Sequence, residues 1–203
     1  MEIQFAMKDA EVILYPEFFS SEESSRLFTT LQNSVLWKQE AIKLYGKTIP
    51  TPRLTAWHGD LEIQYAYSNI IHLPEPWTPE LLEIKRRIEP ICNAQFNFVL
   101  LNFYREGRDS MSWHSDDEPE LGVNPIIGSV SFGAARKFHF RHKFDASLRQ
   151  SVNLTDGSLL VMGGAAQHFW RHQLPKTARP VAPRINLTFR TVMQSASSSR
   201  RRP

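Results

Sequence analysis

The first candidate for chemistry is a histidine and a carboxylate separated by one residue, in the segment Trp113-His114-Ser115-Asp116. On an extended segment, residues i and i+2 point to the same side, so both side chains can reach one metal ion. A second histidine at a distance would complete the two-histidine, one-carboxylate set that binds non-haem Fe(II) and leaves coordination positions open, and His172 is the candidate. By itself a His-x-Asp sequence is weak evidence, because ordinary surface pairs share it.

A second candidate group lies near the C-terminus, in residues 183–190 (PRINLTFR). Arg184, Asn186 and Arg190 are separated by even numbers of residues, so on a strand they share one face, while Leu187 and Phe189 take the other. Burying two guanidinium groups is costly unless an anion compensates, and arginine is suited to binding a carboxylate with two parallel hydrogen bonds. A solvated strand, polar outside and apolar inside, fits the same pattern.

Two helices are predicted before these motifs. Ser20 and Glu23 form a capping box, and the apolar residues that follow at helical spacing predict a helix from about Ser21 to Asn33. Thr78 followed by Pro79 is a typical helix start, and an apolar stripe after it predicts a second helix.

The remainder of the chain reads as short strands and turns. Residues 46–52 are predicted to be a turn-rich connection, and residues 54–67 to be strands or an extended loop. Because no helical pattern separates the later runs, we expect a mainly β fold with flanking helices (α+β), an antiparallel sandwich or barrel. The predicted late strands are residues 96–104, 127–132, 137–141, 158–162, 167–170 and 185–192.

Composition places limits on the class of protein. The 203 residues, 41% hydrophobic and 22% charged, favour one folded domain over residues 1–193, followed by a disordered basic tail at residues 194–203. The single cysteine, Cys92, cannot form an internal disulfide, and no cysteine pair is present to bind zinc. With no apolar run long enough to span a bilayer, we expect an unsecreted, cytoplasmic monomer, nuclear if eukaryotic, with no membrane contact.

Five motifs follow one another along the chain. They are Asn102-Phe103-Tyr104, His114-Ser115-Asp116-Asp117-Glu118, Ser131-Phe132-Gly133-Ala134-Ala135-Arg136, His172-Gln173-Leu174-Pro175 and Arg184-Ile185-Asn186-Leu187-Thr188-Phe189-Arg190. Their order and spacing over about residues 96–192 resemble the AlkB family of Fe(II)/2-oxoglutarate dioxygenases, and the nucleic-acid-repairing members in particular. Residues 52–60 look like that family's nucleotide-recognition region, placed at about 45–75.

The resemblance implies a double-stranded β-helix (jelly-roll) core with the N-terminal helices packed on one face. It also implies a catalytic iron held by His114, Asp116 and His172, with O₂ as oxidant. His168 competes for the ligand role, but the family's ligand stands just before a Leu-Pro or Val-Pro pair, as His172 does. The residues implied to hold the cosubstrate 2-oxoglutarate are Asn102, Tyr104, Arg184, Asn186 and Arg190.

The implied reaction is oxidative demethylation of N-alkylated bases, of the 1-methyladenine and 3-methylcytosine type, in DNA first and RNA second. Succinate, CO₂ and formaldehyde would be released, and the protein would serve direct repair of alkylation damage. The alternatives are a dioxygenase of RNA, protein or a small molecule, and a non-catalytic jelly-roll module that binds nucleic acid. A zinc hydrolase is disfavoured, since it would not explain the paired arginines.

A flipped base is usually held between flat side chains, and Tyr65, Tyr67 and Trp57 fall where the family carries such aromatics. Ordinary packing explains them equally well. Because the implied lesions are cationic, Asp117 or Glu118 is expected near the base. Residues 134–203 hold 13 basic and 2 acidic residues, which favours contacts with phosphates. The candidates are Lys47, Arg53, Arg136, Lys137, Arg141, His142, Lys143, Arg171, Lys176 and Arg179.

Overall fold

The structure is a computed structural model that describes residues 1–44, 47–63, 65–67, 70–72 and 74–193, with side chains described outside residues 42–47 and 64–73. The predicted tail at residues 194–203 and the side chains of Tyr65 and Tyr67 therefore lie outside the described residues, as does that of Lys47.

Both predicted helices are confirmed. The first, α1, spans Ser21–Ser34, and its capping box is formed: the backbone N–H of Glu23 donates to Ser20 Oγ, and that of Ser20 donates to the Glu23 carboxylate. The second, α2, spans Pro79–Cys92 and is capped by the Thr78 hydroxyl. Each helix turns an apolar stripe toward the sheet, so periodicity and capping chemistry were sufficient to locate both.

Antiparallel strands make up most of the remainder. A seven-stranded sheet has the order β1-β2-β13-β10-β15-β8-β5, and a four-stranded sheet has the order β12-β11-β14-β9. Two hairpins, β3-β4 and β6-β7, form separate two-stranded sheets, and a single-turn helix α3 (Ala166–Phe169) precedes β14. The strands are β1 (Ile3–Phe5), β2 (Glu11–Tyr15), β3 (Ala41–Leu44), β4 (Lys47–Pro50), β5 (Leu54–Gly59), β6 (Tyr65–Tyr67), β7 (Ile70–His72), β8 (Phe98–Tyr104), β9 (Met111–His114), β10 (Ile127–Gly133), β11 (Arg136–His142), β12 (Arg149–Leu154), β13 (Ser158–Gly163), β14 (Trp170–Leu174) and β15 (Arg184–Arg190).

The two sheets and the helices form three layers, as the predicted jelly roll with helices on one face requires. The main apolar cluster lies between the large sheet and the helices, where Leu27 and Ile84 meet Leu187 and Phe189. A second cluster fills one end of the space between the two sheets, around Phe140. The other end of that space is polar.

The central strand β15 explains this arrangement, because all seven of its residues are buried. Its alternate side chains face the helices on one side and the space between the sheets on the other. The solvated-strand interpretation is therefore wrong for this segment, and both of its faces are interior.

Two local predictions are wrong, and three strands were missed. Residues 167–169 are helical and only Trp170 begins a strand: a turn through Gly164, which has a φ of +56°, leads into α3, whose His168 and Phe169 N–H groups donate to the Ala165 carbonyl oxygen. Residues 46–52 include strand β4, which pairs with β3 in a hairpin. The strands β1, β2 and β12 were not anticipated: β1 is only three residues long, β2 (EVILY) is an apolar run without alternation, and β12 (RQSVNL) is mostly polar.

Among the described residues, no helix combines the length and apolar character needed to cross a membrane.

Candidate metal centre

Three side chains converge between the two sheets. His114 ends β9, Asp116 follows it by two residues, and His172 lies on β14 directly opposite His114. Their ligand atoms all lie within 4.8 Å of one another. The two histidine Nε2 atoms are 3.0 Å apart, and His172 Nε2 lies 3.6 Å from Asp116 Oδ2. The structure thus brings the predicted ligand set together.

The donor set fits a divalent transition metal. His114 Nδ1 lies 2.8 Å from the Ser112 carbonyl oxygen, which only accepts, so Nδ1 carries the proton and Nε2 keeps its lone pair. Two imidazole nitrogens and one carboxylate oxygen therefore face a common point, in the facial pattern that suits Fe(II). His172 and Asp116 are both almost fully buried, which favours a bound cation at that point.

The local electrostatics keep these ligands ready for a metal. Burial, with His114 nearby, lowers the pKa of His172 to about 3, and burial also lowers the pKa of His114. Burial alone would raise the pKa of Asp116, but Arg190, with His172 and His114, lowers it to about 2. At neutral pH both histidines are thus neutral and the aspartate is ionised, the forms that bind a metal.

The predicted cosubstrate residues lie beside this centre, on adjacent strands. β8 and β15 place Asn102 opposite Asn186 and Tyr104 opposite Arg184. The Arg184 guanidinium is 2% exposed, lies over the Tyr104 ring and donates to Ser131 Oγ at 2.9 Å. Burial lowers the pKa of Arg184 to about 10, so it stays protonated at neutral pH. A permanent buried cation beside a metal centre suits an anionic ligand.

The second arginine links the cosubstrate residues to the metal ligands. The Arg190 guanidinium, 2% exposed, donates to Asp116 Oδ1 at 2.5 Å. A cavity opens here, between the two sheets. It is lined by Leu100, Asn102, Tyr104, Met111, His114, Asp116, Ser129, Phe138, Met162, His172, Asn186, Thr188 and Arg190.

Four residues of the site were not assigned to it from sequence. Arg53 was predicted to contact phosphates, but it is buried and its Nε donates to Asn102 Oδ1 at 2.6 Å. Ser129 and Ser131 on β10 hold Asn186 and Arg184 through hydrogen bonds. The side chain of Gln167 accepts a hydrogen bond from the Asp116 backbone. The serines alternate with apolar residues on β10, a signal that could have placed them on the polar face.

The predicted substrate residues are dispersed around the centre. The exposed Asp117 binds Lys143 Nζ at 2.9 Å, whereas Glu118 is half-buried. Trp57 lies on β5 opposite Leu100, with its ring against Phe98. It is 8% exposed and donates from its indole N–H to the Glu40 carboxylate at 2.8 Å. It shares the inner face of the large sheet with the cosubstrate residues, packed in a third apolar cluster.

Three further sequence predictions are corrected by burial. His168 lies exposed on α3 and its Nε2 faces the Asn124 N–H at 3.4 Å, so it does not compete with His172 for the ligand role. Arg136 is buried and donates to the Asp109 and Pro175 carbonyls, and buried His142 accepts from the Phe144 and Asp145 N–H groups. Both residues hold loops and are not accessible to phosphates.

Comparisons with known proteins agree with this geometry. The family model for the 2OG-Fe(II) oxygenase superfamily matches residues 11–190. The chain is 44% identical over 192 residues to the mouse "Alpha-ketoglutarate-dependent dioxygenase alkB homolog 3", covering 90% of this chain and 66% of that protein, slightly under two thirds. It is 37% identical over 189 residues to the mouse "DNA oxidative demethylase ALKBH2", covering 88% of this chain and 79% of that protein.

The fold also matches a solved structure, "The structure of OsALKBH1", with a TM-score of 0.65 at 14% identity, covering 93% of this chain and 100% of that one. At this identity the likeness concerns the fold alone. The family match and the identity with the two mouse proteins carry the assignment further. The chain belongs to the 2OG-Fe(II) oxygenase superfamily and, within it, to the AlkB-type dioxygenases, whose cofactors are Fe(II), 2-oxoglutarate and O₂.

Proposed function

We propose that this protein oxidatively demethylates N-alkylated nucleobases of the 1-methyladenine and 3-methylcytosine type in DNA or RNA, and so reverses alkylation damage directly. The observation that carries the proposal is that three metal-ligand atoms, all within 4.8 Å of one another, lie between the two sheets together with Arg184 and Arg190, which are buried on the facing strand β15. When bound, Fe(II) supplies the oxidising chemistry, in which 2-oxoglutarate and O₂ yield succinate and CO₂ and the hydroxylated N-methyl group leaves as formaldehyde.

The protein's own residues perform the placement. His114, Asp116 and His172 are proposed to bind the iron, in the protonation states that their surroundings already impose. Arg184 and Arg190, with Asn102, Tyr104 and Asn186, are proposed to bind the dianionic 2-oxoglutarate. Its charge would offset the two buried guanidinium groups, of which that of Arg190 pairs with Asp116.

A basic surface on the back of the smaller sheet supports a nucleic-acid substrate. Arg141 on β11 lies opposite Arg149 on β12 and opposite Arg171 on β14. None of the three forms an ion pair with a carboxylate among the described residues. Like charges directly across strands repel, so a phosphate backbone would stabilise this surface. The exposed Lys137, Lys176 and Arg179 remain proposed phosphate contacts.

The proposed contacts with the base are fewer. The lesions carry a positive charge, and the carboxylates of Asp117 and Glu118, which follow Asp116 in the chain, would attract it. Asp117 already pairs with Lys143. Trp57, Tyr65 and Tyr67 are proposed to flank the flipped base. The names of the mouse relatives, a dioxygenase and a DNA oxidative demethylase, support this substrate class.

The test is release of formaldehyde from an oligonucleotide that carries one 3-methylcytosine, with Fe(II), ascorbate and 2-oxoglutarate present. DNA and RNA oligonucleotides are compared in parallel, each with an unmethylated control. We expect formaldehyde and succinate in equal amounts from the methylated strands only. No turnover on either nucleic acid, while 2-oxoglutarate is still consumed, would move the proposal to a protein or small-molecule substrate.

A single variant distinguishes the proposed enzyme from a non-catalytic module that only binds nucleic acid. Asp116→Ala should abolish formaldehyde release and leave binding of the oligonucleotide unchanged, because the basic surface lies on the opposite side of the smaller sheet from His172. If wild-type protein binds the oligonucleotide as tightly as the variant does and neither consumes 2-oxoglutarate, the module is the better description.

A further inference from the structure

The segment that carries Asp116 lies beyond the end of β9 and has no strand pairing of its own. Its position is set by a contact from a distant part of the chain. The backbone N–H of Asp116 donates to Gln167 Oε1 at 2.9 Å, across 51 residues of sequence. Gln167 is 1% exposed, and its amide nitrogen lies 3.9 Å from Met162 Sδ. Asp116 lies outside the strands, and among the described residues this is the one hydrogen bond found for its backbone.

The residues on both sides of Asp116 are held by the same part of the fold. Ser115 Oγ donates to the Trp170 carbonyl oxygen at 3.0 Å. Lys143 Nζ bridges two acceptors, Asp117 Oδ2 at 2.9 Å and the Gln167 carbonyl oxygen at 2.8 Å. Three consecutive residues, 115–117, are therefore fixed to α3 and the start of β14, directly or through Lys143.

We infer that Gln167 is a positioning residue for the metal centre, which fixes the Asp116 carboxylate relative to His172. Because α3 runs directly into β14, this one helical turn fixes the positions of both Asp116 and His172. The Asp116 carboxylate is drawn to Arg190 at 2.5 Å, so a loose backbone would let the ion pair pull it away from the histidines. The Gln167 hydrogen bond opposes that movement. The inference rests on the proposed role of His114, Asp116 and His172 as metal ligands.

The experiment is titration of the metal-free, full-length protein with Co(II), followed by the visible absorption of the bound ion. Gln167→Met keeps the length and removes the acceptor. We expect binding about 10–100-fold weaker than in wild type, since partners that orient a ligand typically contribute that much, together with an altered Co(II) spectrum. Gln167→Glu keeps an acceptor oxygen at the same reach and should recover most of the affinity.

Matched controls separate positioning from folding. Gln173→Met makes the same chemical change on the back of the smaller sheet, where no hydrogen bond of the Gln173 side chain is found among the described residues, and should leave Co(II) binding unchanged. Lys143→Met removes the second anchor, and Met keeps the apolar length of a side chain that is 16% exposed, so the variant should fold and weaken binding by a smaller factor. The melting temperature of each metal-free variant is measured alongside.

The outcomes distinguish this inference from the proposed site. If Asp116→Ala binds Co(II) as tightly as wild type does, the ligand assignment itself is wrong. If Asp116→Ala loses binding but Gln167→Met binds within about twofold of wild type with an unchanged spectrum, the ligands stand and the positioning role is overturned. If Gln167→Met fails to fold, unchanged binding by Lys143→Met overturns the inference instead.

Discussion

The two faces of strand β15 are equally buried and chemically opposite. Toward the helices, Leu187 and Phe189 are fully buried among other apolar side chains. Toward the smaller sheet, Arg184 and Arg190 are each 2% exposed, in a layer that also contains Asn186. Burial alone therefore does not tell the two faces apart, and the difference lies in what each face gains from it.

The apolar face contributes stability, because removal of apolar surface from water is favourable without any partner. The polar face costs free energy, because guanidinium groups lose hydration that hydrogen bonds to Ser131 and Asp116 recover only in part. A protein retains such a face when a ligand uses it. The contrast implies that substitutions on the apolar face should mainly lower stability, whereas substitutions on the polar face should mainly weaken ligand binding.

The largest effect is expected from Asp116→Ala on the polar side. Loss of one of three ligands should abolish 2-oxoglutarate turnover, measured as succinate formation, because the two histidines cannot hold the metal in the required arrangement. The unfolding free energy of the metal-free protein should change far less than turnover does. Retained succinate formation would remove the basis for contrasting the two faces.

On the apolar face, Leu187→Ala should lower the free energy of unfolding by about 2–5 kcal/mol, through lost transfer energy and a residual cavity. Urea titration of the metal-free protein measures this. Leu187→Met, which conserves volume better, should cost less than about 1.5 kcal/mol. A neutral Leu187→Ala would mean that the helix-covered face is not the stabilising one.

Arg184→Met should weaken 2-oxoglutarate binding strongly and change stability little. Loss of a charged hydrogen bond of about 1.5–3 kcal/mol corresponds to an increase of about 10–150-fold in the KM for 2-oxoglutarate. The metal-free protein should be no less stable, because an incompletely paired buried charge is replaced by an apolar chain. Ser131→Ala, which removes a partner of Arg184, should raise the same KM by a smaller factor. An unchanged KM in both variants would contradict the assignment of this face to 2-oxoglutarate.

The last prediction concerns pH. The pKa of His172 is lowered to about 3 by burial, so between its unfolded value of about 6.5 and about 3 the unfolded chain binds a proton that the folded chain does not. Stability of the metal-free protein should therefore fall as the pH drops below about 6.5, by up to about 1.4 kcal/mol per pH unit. The lowered pKa of Asp116 adds a loss of the same sign below about pH 4. His172→Asn should reduce the slope of the profile from about pH 6.5 to about pH 4 and leave the contribution of His114, whose pKa burial also lowers, whereas Leu187→Ala should shift the profile without changing its slope.

The sequence was sufficient to predict elements whose residues recur at helical or strand spacing. Capping and helical spacing located α1 and α2, and the even spacing of Arg184, Asn186 and Arg190 placed them on one face. It did not show that this face is interior, because a solvated strand has the same alternation. The ligand set came from the resemblance, which the convergence of His114, Asp116 and His172 supports.

Features that depend on long-range contacts were missed or misassigned. Arg53 and Arg136 were counted as surface charge, since composition carries no information on burial. Gln167 was missed because β-type residues in 167–170 suggested a strand, whereas the preceding glycine turn starts α3 and directs that side chain to Asp116. Contacts of this kind arise from the tertiary structure and leave no periodic signal.

The most direct test of the central claim, that the polar space between the two sheets binds Fe(II) and 2-oxoglutarate together, is anaerobic difference absorption. Wild-type protein with Fe(II) should develop a visible charge-transfer band when 2-oxoglutarate is added, because direct binding of the 2-oxo acid to the iron would produce that transition. The band should be absent from Asp116→Ala and should require much more 2-oxoglutarate in Arg184→Met. A wild-type protein without the band, or an Asp116→Ala variant that retains it, would contradict the account.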